Sequence, residues 1–250
     1  MSLTAEQIQT NWQTFLGYIN HYILDPRRTK LLDFYKKHED ELVMMPASHK
    51  KAYHNAFPGG YIDHVNRVVE GALHINEVWA KFGAEQKYTG AELVFAAINH
   101  DLGKMGDGKE YAHQPSQDKW RKENLGEMYT FNKKISFMSV PERSIKLLVD
   151  NGIVPTENEW LSIRLHDGLY DPANEPYLKN FMPELKPRTS LIFIIHQADL
   201  MASRIEFEKE WLPKFSNSTE KKQTSKKIDV KTKALGSIKS EGLKNMLDSL

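Results

Sequence analysis

Leu93-Val94-Phe95-Ala96-Ala97-Ile98-Asn99-His100-Asp101-Leu102-Gly103-Lys104 is the stretch that decides how this chain is read. Six apolar residues run without a break and then stop at an amide, an imidazole, a carboxylate, a glycine and a lysine. Just upstream, Thr89-Gly90-Ala91-Glu92 has the spacing of a capping box, with Thr89 as N-cap and Glu92 at N3. The run is therefore a helix that starts at residue 90 and buries itself almost all round. A carboxylate at the end of such a helix is costly to bury alone. A divalent metal compensates His100 and Asp101 together, so the remainder of the chain is searched for further ligands.

The surrounding pattern is helical nearly throughout. Apolar positions at Ile8, Trp12, Phe15, Leu16, Ile19 and Ile23 predict a helix over 4–23, ended by Asp25-Pro26. A second covers 28–40. Residues 41–60 read as irregular and close on Phe57-Pro58-Gly59-Gly60, a turn signal. Further helices are expected over 61–80, 140–150, 156–167 and 189–211. The polar stretch 103–135 reads as a long irregular segment, either a substrate-covering element or a surface loop. The fold class is all-α, in three parts: N-terminal helices 1–40 packing on the core, a main domain 41–213, and a lysine-rich tail 214–250.

The tail holds nine Lys against four acidic residues and no aromatic beyond Phe215. It reads as a flexible solvated extension, or as a docking segment carrying a short helix through Leu243, Met246, Leu247 and Leu250. Through that helix it would join a second copy or another partner.

Bulk composition narrows the function classes. The chain has 250 residues, 40% hydrophobic and 27% charged, with a net charge of +1. No global field marks a nucleic-acid or membrane binder. No apolar run approaches the ~18 residues of a membrane span. The N-terminus lacks the basic and apolar regions of a signal peptide, and the expected compartment is the cytoplasm. There is no cysteine, which excludes disulfides and thiolate metal sites. A metal must use His and carboxylate, a set that suits Mn, Fe, Co, Ni, Zn or Mg.

Two more residues fit the search. Asp199 interrupts the apolar stripe of the last helix, between Ile195 and Ala202. His64 shares a helical face with Val68 and Ile75. Taken singly, Asp199 reads equally as half of a salt bridge and His64 as a hydrogen-bonded core residue. Together with His100 and Asp101 they make two imidazoles and two carboxylates.

In this order the residues resemble the HD-domain metal-dependent phosphohydrolases. Tyr53-His54-Asn55-Ala56-Phe57-Pro58-Gly59-Gly60-Tyr61-Ile62-Asp63-His64 is similar to that superfamily's HxAxxGGLLEHT motif, Asn99-His100-Asp101-Leu102-Gly103-Lys104 to its HDLGK, and His196-Gln197-Ala198-Asp199 to its HxAD. The resemblance spans residues 50–205. It implies an HD-domain helical bundle in which His64, His100, Asp101 and Asp199 bind a divalent ion. Asp101, Lys104 and His166 are then the candidate catalytic residues, and Arg67, Lys104 and His166 the candidate contacts to substrate phosphate.

Arg164-Leu165-His166-Asp167-Gly168 also resembles the HHG ending of a bacterial HD-domain 3′–5′ exoribonuclease group, making His166 a phosphate or second-metal residue. The histidine that precedes it in that group is missing around Asn132–Phe137. His113 is expected to be exposed, His54 structural or behind the ligands, and His196, three residues before Asp199, a helix-packing residue or a support behind the ligands. His21, His38, His49 and His74 carry no site logic.

The expected activity is hydrolysis of a phosphate ester or anhydride of a small nucleotide: mono-, tri- or signalling. The alternatives are an HD-superfamily 3′–5′ exonuclease, with nucleic acid as a less favoured partner, and a non-catalytic nucleotide-sensing module.

Overall fold

A computed structural model describes residues 3–210 and 212 of the chain. The tail expected over 214–250, with its terminal helix, lies outside the described residues.

The described part is mostly helical. Helix α1 (Ala5–Tyr22) opens on a capping box formed by Thr4 and Gln7. It is followed by α2 (Arg27–Lys37) and the single turn α3 (Glu39–Leu42). Helix α4 (Gly60–Lys81) begins after the Gly59-Gly60 turn, and α5 (Gly90–Asn99) after the expected Thr89/Glu92 capping box. A 3-10 turn (Leu102–Met105) leads to strand β1 (His113–Pro115), helix α6 (Lys119–Leu125) and strand β2 (Tyr129–Phe131). Then come α7 (Val140–Asp150), α8 (Glu157–Leu165), the single turn α9 (Glu175–Leu178) and α10 (Leu191–Glu210).

Four helices form the centre: α5, whose residues Leu93 to Asn99 are all buried, packs with α4 and α8, and α10 packs on α4 and α8. Gly71 on α4 faces Ala198 on α10, where a Cβ would stand 3.7 Å from the Ala198 methyl. That close approach carries the start of α4 toward the middle of α10.

The N-terminal helices close the same core. Trp12, Phe15 and Ile19 of α1 join Val65, Val68 and Phe95 in one buried cluster. Tyr35 of α2 donates to Asn99 Oδ1 at 2.7 Å, and Asn66 of α4 donates to the Asn11 carbonyl at 2.8 Å.

One sequence expectation is corrected. Residues 103–135 are not irregular throughout: β1 and β2 pair antiparallel, His113 opposite Phe131, with α6 between them. Strands of three residues are too short to show an alternating hydrophobic signature, so the pattern missed them. Asn132 and Ser116 are buried inside this element and satisfy its backbone, with Asn132 donating to the Tyr111 carbonyl at 3.0 Å.

Among the described residues no helix is long and apolar enough to cross a membrane.

Candidate metal centre

The apolar face of α5 delivers His100 and Asp101 to the interior. The chain can turn there because Gly103 lies against α7: a Cβ on it would meet the Val140 carbonyl oxygen at 2.2 Å. Ser144 of α7 clamps the turn. Its hydroxyl accepts from the Gly103 amide at 2.7 Å and donates to the His100 carbonyl at 3.1 Å. His64 arrives from the first turn of α4, Asp199 from the middle of α10, and His166 from the C-terminal end of α8.

The four expected ligands meet. His64 Nε2 lies 3.2 Å from Asp199 Oδ1 and 3.6 Å from Asp101 Oδ2, and His100 Nε2 lies 3.4 Å and 3.8 Å from the carboxylates of Asp101 and Asp199 respectively. His166 joins them, with Nε2 3.6 Å from Asp101 Oδ1. His64 and His100 are fully buried, and His166 and Asp101 nearly so. Asp199 keeps 18% of its side chain exposed and is the cluster's opening to solvent.

The outward nitrogens of the three imidazoles are all engaged. Nδ1 of His100 donates to the Ala97 carbonyl at 2.7 Å, and Nδ1 of His166 to the Ile163 carbonyl at 2.8 Å. Nδ1 of His64 donates to the Glu206 carboxylate, 3.1 and 3.2 Å from its two oxygens. Acceptors at Nδ1 fix the proton there and leave Nε2 as a bare lone pair in the neutral ring. Yet Nε2 of His64 and of His100 are buried with no hydrogen-bond partner among the described residues; the short contacts to the carboxylates lack hydrogen-bond geometry. Among the described residues the donor that reaches the two carboxylates is the Lys104 ammonium, on Asp101 Oδ2. Lone pairs of imidazoles and carboxylates thus converge. This is the donor set that a divalent cation takes.

Charge points the same way. Burial lowers the His64 imidazole, but Glu206 and Asp199 outweigh it and push it up to about 10. For His166, burial is likewise outweighed, by Asp167 and Asp101, and it rises to about 9. Burial favours the neutral form of Asp101, but Lys104 and His100 hold its carboxyl well below the usual range. Burial works on Asp199 in the same sense, and His64 and His100 keep that carboxyl low. The cluster has an excess of negative charge, which it meets by protonating imidazoles wherever no other cation is supplied.

Several residues take places the sequence did not assign. His54 has a buried Nε2 without a partner among the described residues, and its ring lies 4.7 Å from that of His64. Its ligand atom groups with those of His64 and Asp101 within 4.8 Å, so it stands beside the ligands rather than behind them. Burial, followed by Lys104, holds it well below an ordinary imidazole, neutral and able to donate a lone pair. The signal was its place before the Gly-Gly turn. Gly60 packs so tightly on Asn55 that a Cβ would stand 2.2 Å from the Asn55 oxygen. Asp167 groups with His166 and Asp199 in the same way.

Arg67 is corrected. Its Nε donates to Glu206 at 3.1 Å and an Nη to Asp63 at 3.2 Å, and it does not line the cavity at the cluster. Asp63 is one turn before it on α4, and Glu206 lies on the facing helix, so its Nε–H and one Nη–H are engaged there rather than at the cavity. His113 is corrected too. It is half-buried, and burial with the neighbouring Lys104 and His49 lowers it to about 4. His196 donates through Nδ1 to the His166 carbonyl at 2.7 Å and supports that residue rather than Asp199.

A cavity of about 640 Å³ opens on the cluster. Asp101, Lys104, His166, Asp167 and Asp199 line it, together with Tyr53, Tyr170, Arg204 and Phe207. Lys104 is ion-paired with Asp101 and retains 16% exposure. Arg164 donates to Asn174 at 2.7 Å, and Asn174 donates to the Gly168 carbonyl at 2.9 Å, fixing the loop that follows His166.

Comparison with protein-family models, curated proteins and solved structures yields no match.

Proposed function

We propose that this chain is a metal-dependent phosphohydrolase of the HD-domain superfamily that acts on a small nucleotide. The observation that carries the reading is the convergence of imidazole Nε2 lone pairs on Asp101 and Asp199 at the wall of a cavity. His64, His100, Asp101 and Asp199 would hold a divalent ion, with His166 and His54 adjoining. The ion, Mn, Fe, Co, Ni, Zn or Mg by ligand type, would supply Lewis-acid charge and an activated water at neutral pH.

The chain's own residues account for the remainder. The Lys104 ammonium lines the cavity beside Asp101 and offsets the charge of an incoming phosphoryl group. His166 faces Asp101 and Asp167 from 3.6 and 3.7 Å, placed to hold or pass a proton at Nε2. Tyr53, Tyr170 and Phe207 supply flat apolar surface for a base. The cytoplasm, where nucleotides are abundant, is the compartment that goes with this reading.

The test is phosphate release from a panel of nucleotides, each with Mn, Mg, Co, Ni and Zn. Metal-dependent release, abolished in Asp101→Ala, supports the proposal. Tight binding of metal and nucleotide with no release from any of them would favour a sensing module instead.

A further inference from the structure

Glu206 lies seven positions after Asp199 on α10. Two turns of helix put both on one face, so the helix that brings Asp199 to the cluster brings a second carboxylate alongside. Glu206 is 2% exposed. Both of its oxygens lie on His64 Nδ1, at 3.2 and 3.1 Å, and Oε1 also accepts from Arg67 Nε at 3.1 Å. Arg67 is held in turn by Asp63 at 3.2 Å, and Asp63 accepts from Asn55 at 3.0 Å and from Asn11 at 3.2 Å. A chain of polar contacts thus runs from α1, through the turn before α4, to the back of one imidazole of the cluster.

The three cluster imidazoles differ in what stands behind them. His100 and His166 donate to backbone carbonyls of their own helices, at Ala97 and Ile163. Those contacts follow from local helix geometry and orient the ring. His64 donates to an ionised side chain from another helix. A carboxylate behind an imidazole fixes the tautomer as a carbonyl does, and also pushes electron density toward the far nitrogen. A buried carboxylate is costly unless it is paired, and here Arg67 and the His64 N–H offset that cost.

We propose that Glu206 is a positioning residue of the metal centre: it locks His64 with the proton on Nδ1 and strengthens Nε2 as a donor, so that it governs how tightly His64 holds a divalent ion. This rests on reading the cluster as a metal site.

The experiment titrates Mn2+ and Co2+ into the metal-free full chain by calorimetry, for wild type, Glu206→Gln and Glu206→Leu. Melting temperatures of the metal-free proteins and the visible spectra of the Co2+ forms are recorded alongside. Glu206→Leu removes the acceptor and should weaken metal binding by about 10- to 100-fold, with a shifted Co2+ spectrum. Glu206→Gln keeps an oxygen where Oε1 already accepts from both His64 and Arg67. It should rescue part of the affinity, leaving a loss of several-fold. A purely structural Glu206 would lower melting temperatures and leave the affinity of the folded protein at the wild-type value, which overturns the proposal. If Glu206→Leu does not fold, Glu206→Gln decides alone: wild-type affinity and spectrum overturn the proposal, and a several-fold loss supports it. A wild-type chain that binds neither ion removes the metal reading itself, a result distinct from wild-type binding that the substitutions leave unchanged.

Discussion

Two charge clusters adjoin α5, one beside Phe95 and one just beyond its C-terminal end, and they are built on opposite plans. At one, Arg27 donates to Asp25 at 2.7 Å and to Glu159 through two nitrogens, at 2.5 and 3.0 Å; it also reaches the Val154 carbonyl and lies over the Phe95 ring at 4.6 Å. Glu159 is fully buried, and the Thr156 amide donates to it at 2.7 Å. The guanidinium's directed donors meet carboxylate and carbonyl oxygens, so the cluster is closed. At the other, imidazole lone pairs face carboxylates, the four oxygens of Asp101 and Asp199 meet the Lys104 ammonium on Asp101 as their directed donor among the described residues, and a cavity gives access. Burial and charge alone do not distinguish a structural ion pair from a binding site. Whether the donors and acceptors match does.

The largest expected effect tests the open cluster. Asp101→Ala removes a carboxylate shared by His64, His100, His166 and Lys104, and groups that act as a unit fail together. Metal analysis should show the ion lost, with activity down roughly 10³-fold or more. A variant that keeps both would erase the contrast between the clusters.

The closed cluster makes the opposite prediction. Arg27→Met strands the buried Glu159 charge and should cost about 3 kcal/mol of stability, read by chemical denaturation. The metal affinity of the folded protein should not change. A weakened metal affinity would mean that the two clusters are coupled through α5.

Lys104→Met separates charge compensation from metal holding. Turnover should fall roughly 10²-fold, the scale of one lost electrostatic contact to a reacting phosphate. The metal should stay bound.

Titration sharpens the comparison further. In the metal-free protein, His64 and His166 have folded values of about 10 and about 9, raised above the ordinary 6.5. Their protonation therefore contributes stability that is complete below about 6.5. That stability is lost as pH rises through about 9 to 10. A bound divalent ion displaces these protons, so metal-loaded protein should hold its melting temperature across the same window, and binding at neutral pH should release protons. Melting curves from pH 6 to 10.5, with chelator and with Mn2+, check this. A metal-free protein whose stability stays flat over that range would contradict the open plan.

The smallest effect concerns delivery rather than chemistry. Thr89→Ala removes the N-cap of α5 and should cost about 1 kcal/mol, with unchanged metal affinity. The Thr89 hydroxyl accepts from the Glu92 amide at 3.2 Å, at the far end of the helix from His100.

Much of this arrangement was legible in the residues. Periodicity located α1, α4, α7, α8 and α10 within a few residues of their observed bounds, because each buries one face over several turns, and the unbroken apolar run with its capping box located α5. His64, His100, Asp101 and Asp199 stood out as polar groups on faces otherwise apolar. Other parts were not legible. The β1–α6–β2 element has strands too short to carry a period. His54 and Asp167 lie outside the long helices, where no face marks a residue as inward. Glu206 sits among charged neighbours, Arg204, Glu208 and Lys209, where no apolar pattern singles it out.

What the sequence determined by itself is local: which segments coil, where they start and stop, and which polar residues ride on buried faces. Those follow from helix periodicity, capping and the cost of burying charge, properties of neighbours in the chain. Only the tertiary structure decided which charges meet. It turned Arg67 from a phosphate contact into the clamp on Glu206, set Glu206 behind His64, brought His54 alongside it, and left Lys104 as the cation on Asp101. The reason is physical: a carboxylate and an imidazole pair across 3 to 4 Å, and that distance is set by how closely α4, α5, α8 and α10 approach, not by their spacing along the chain.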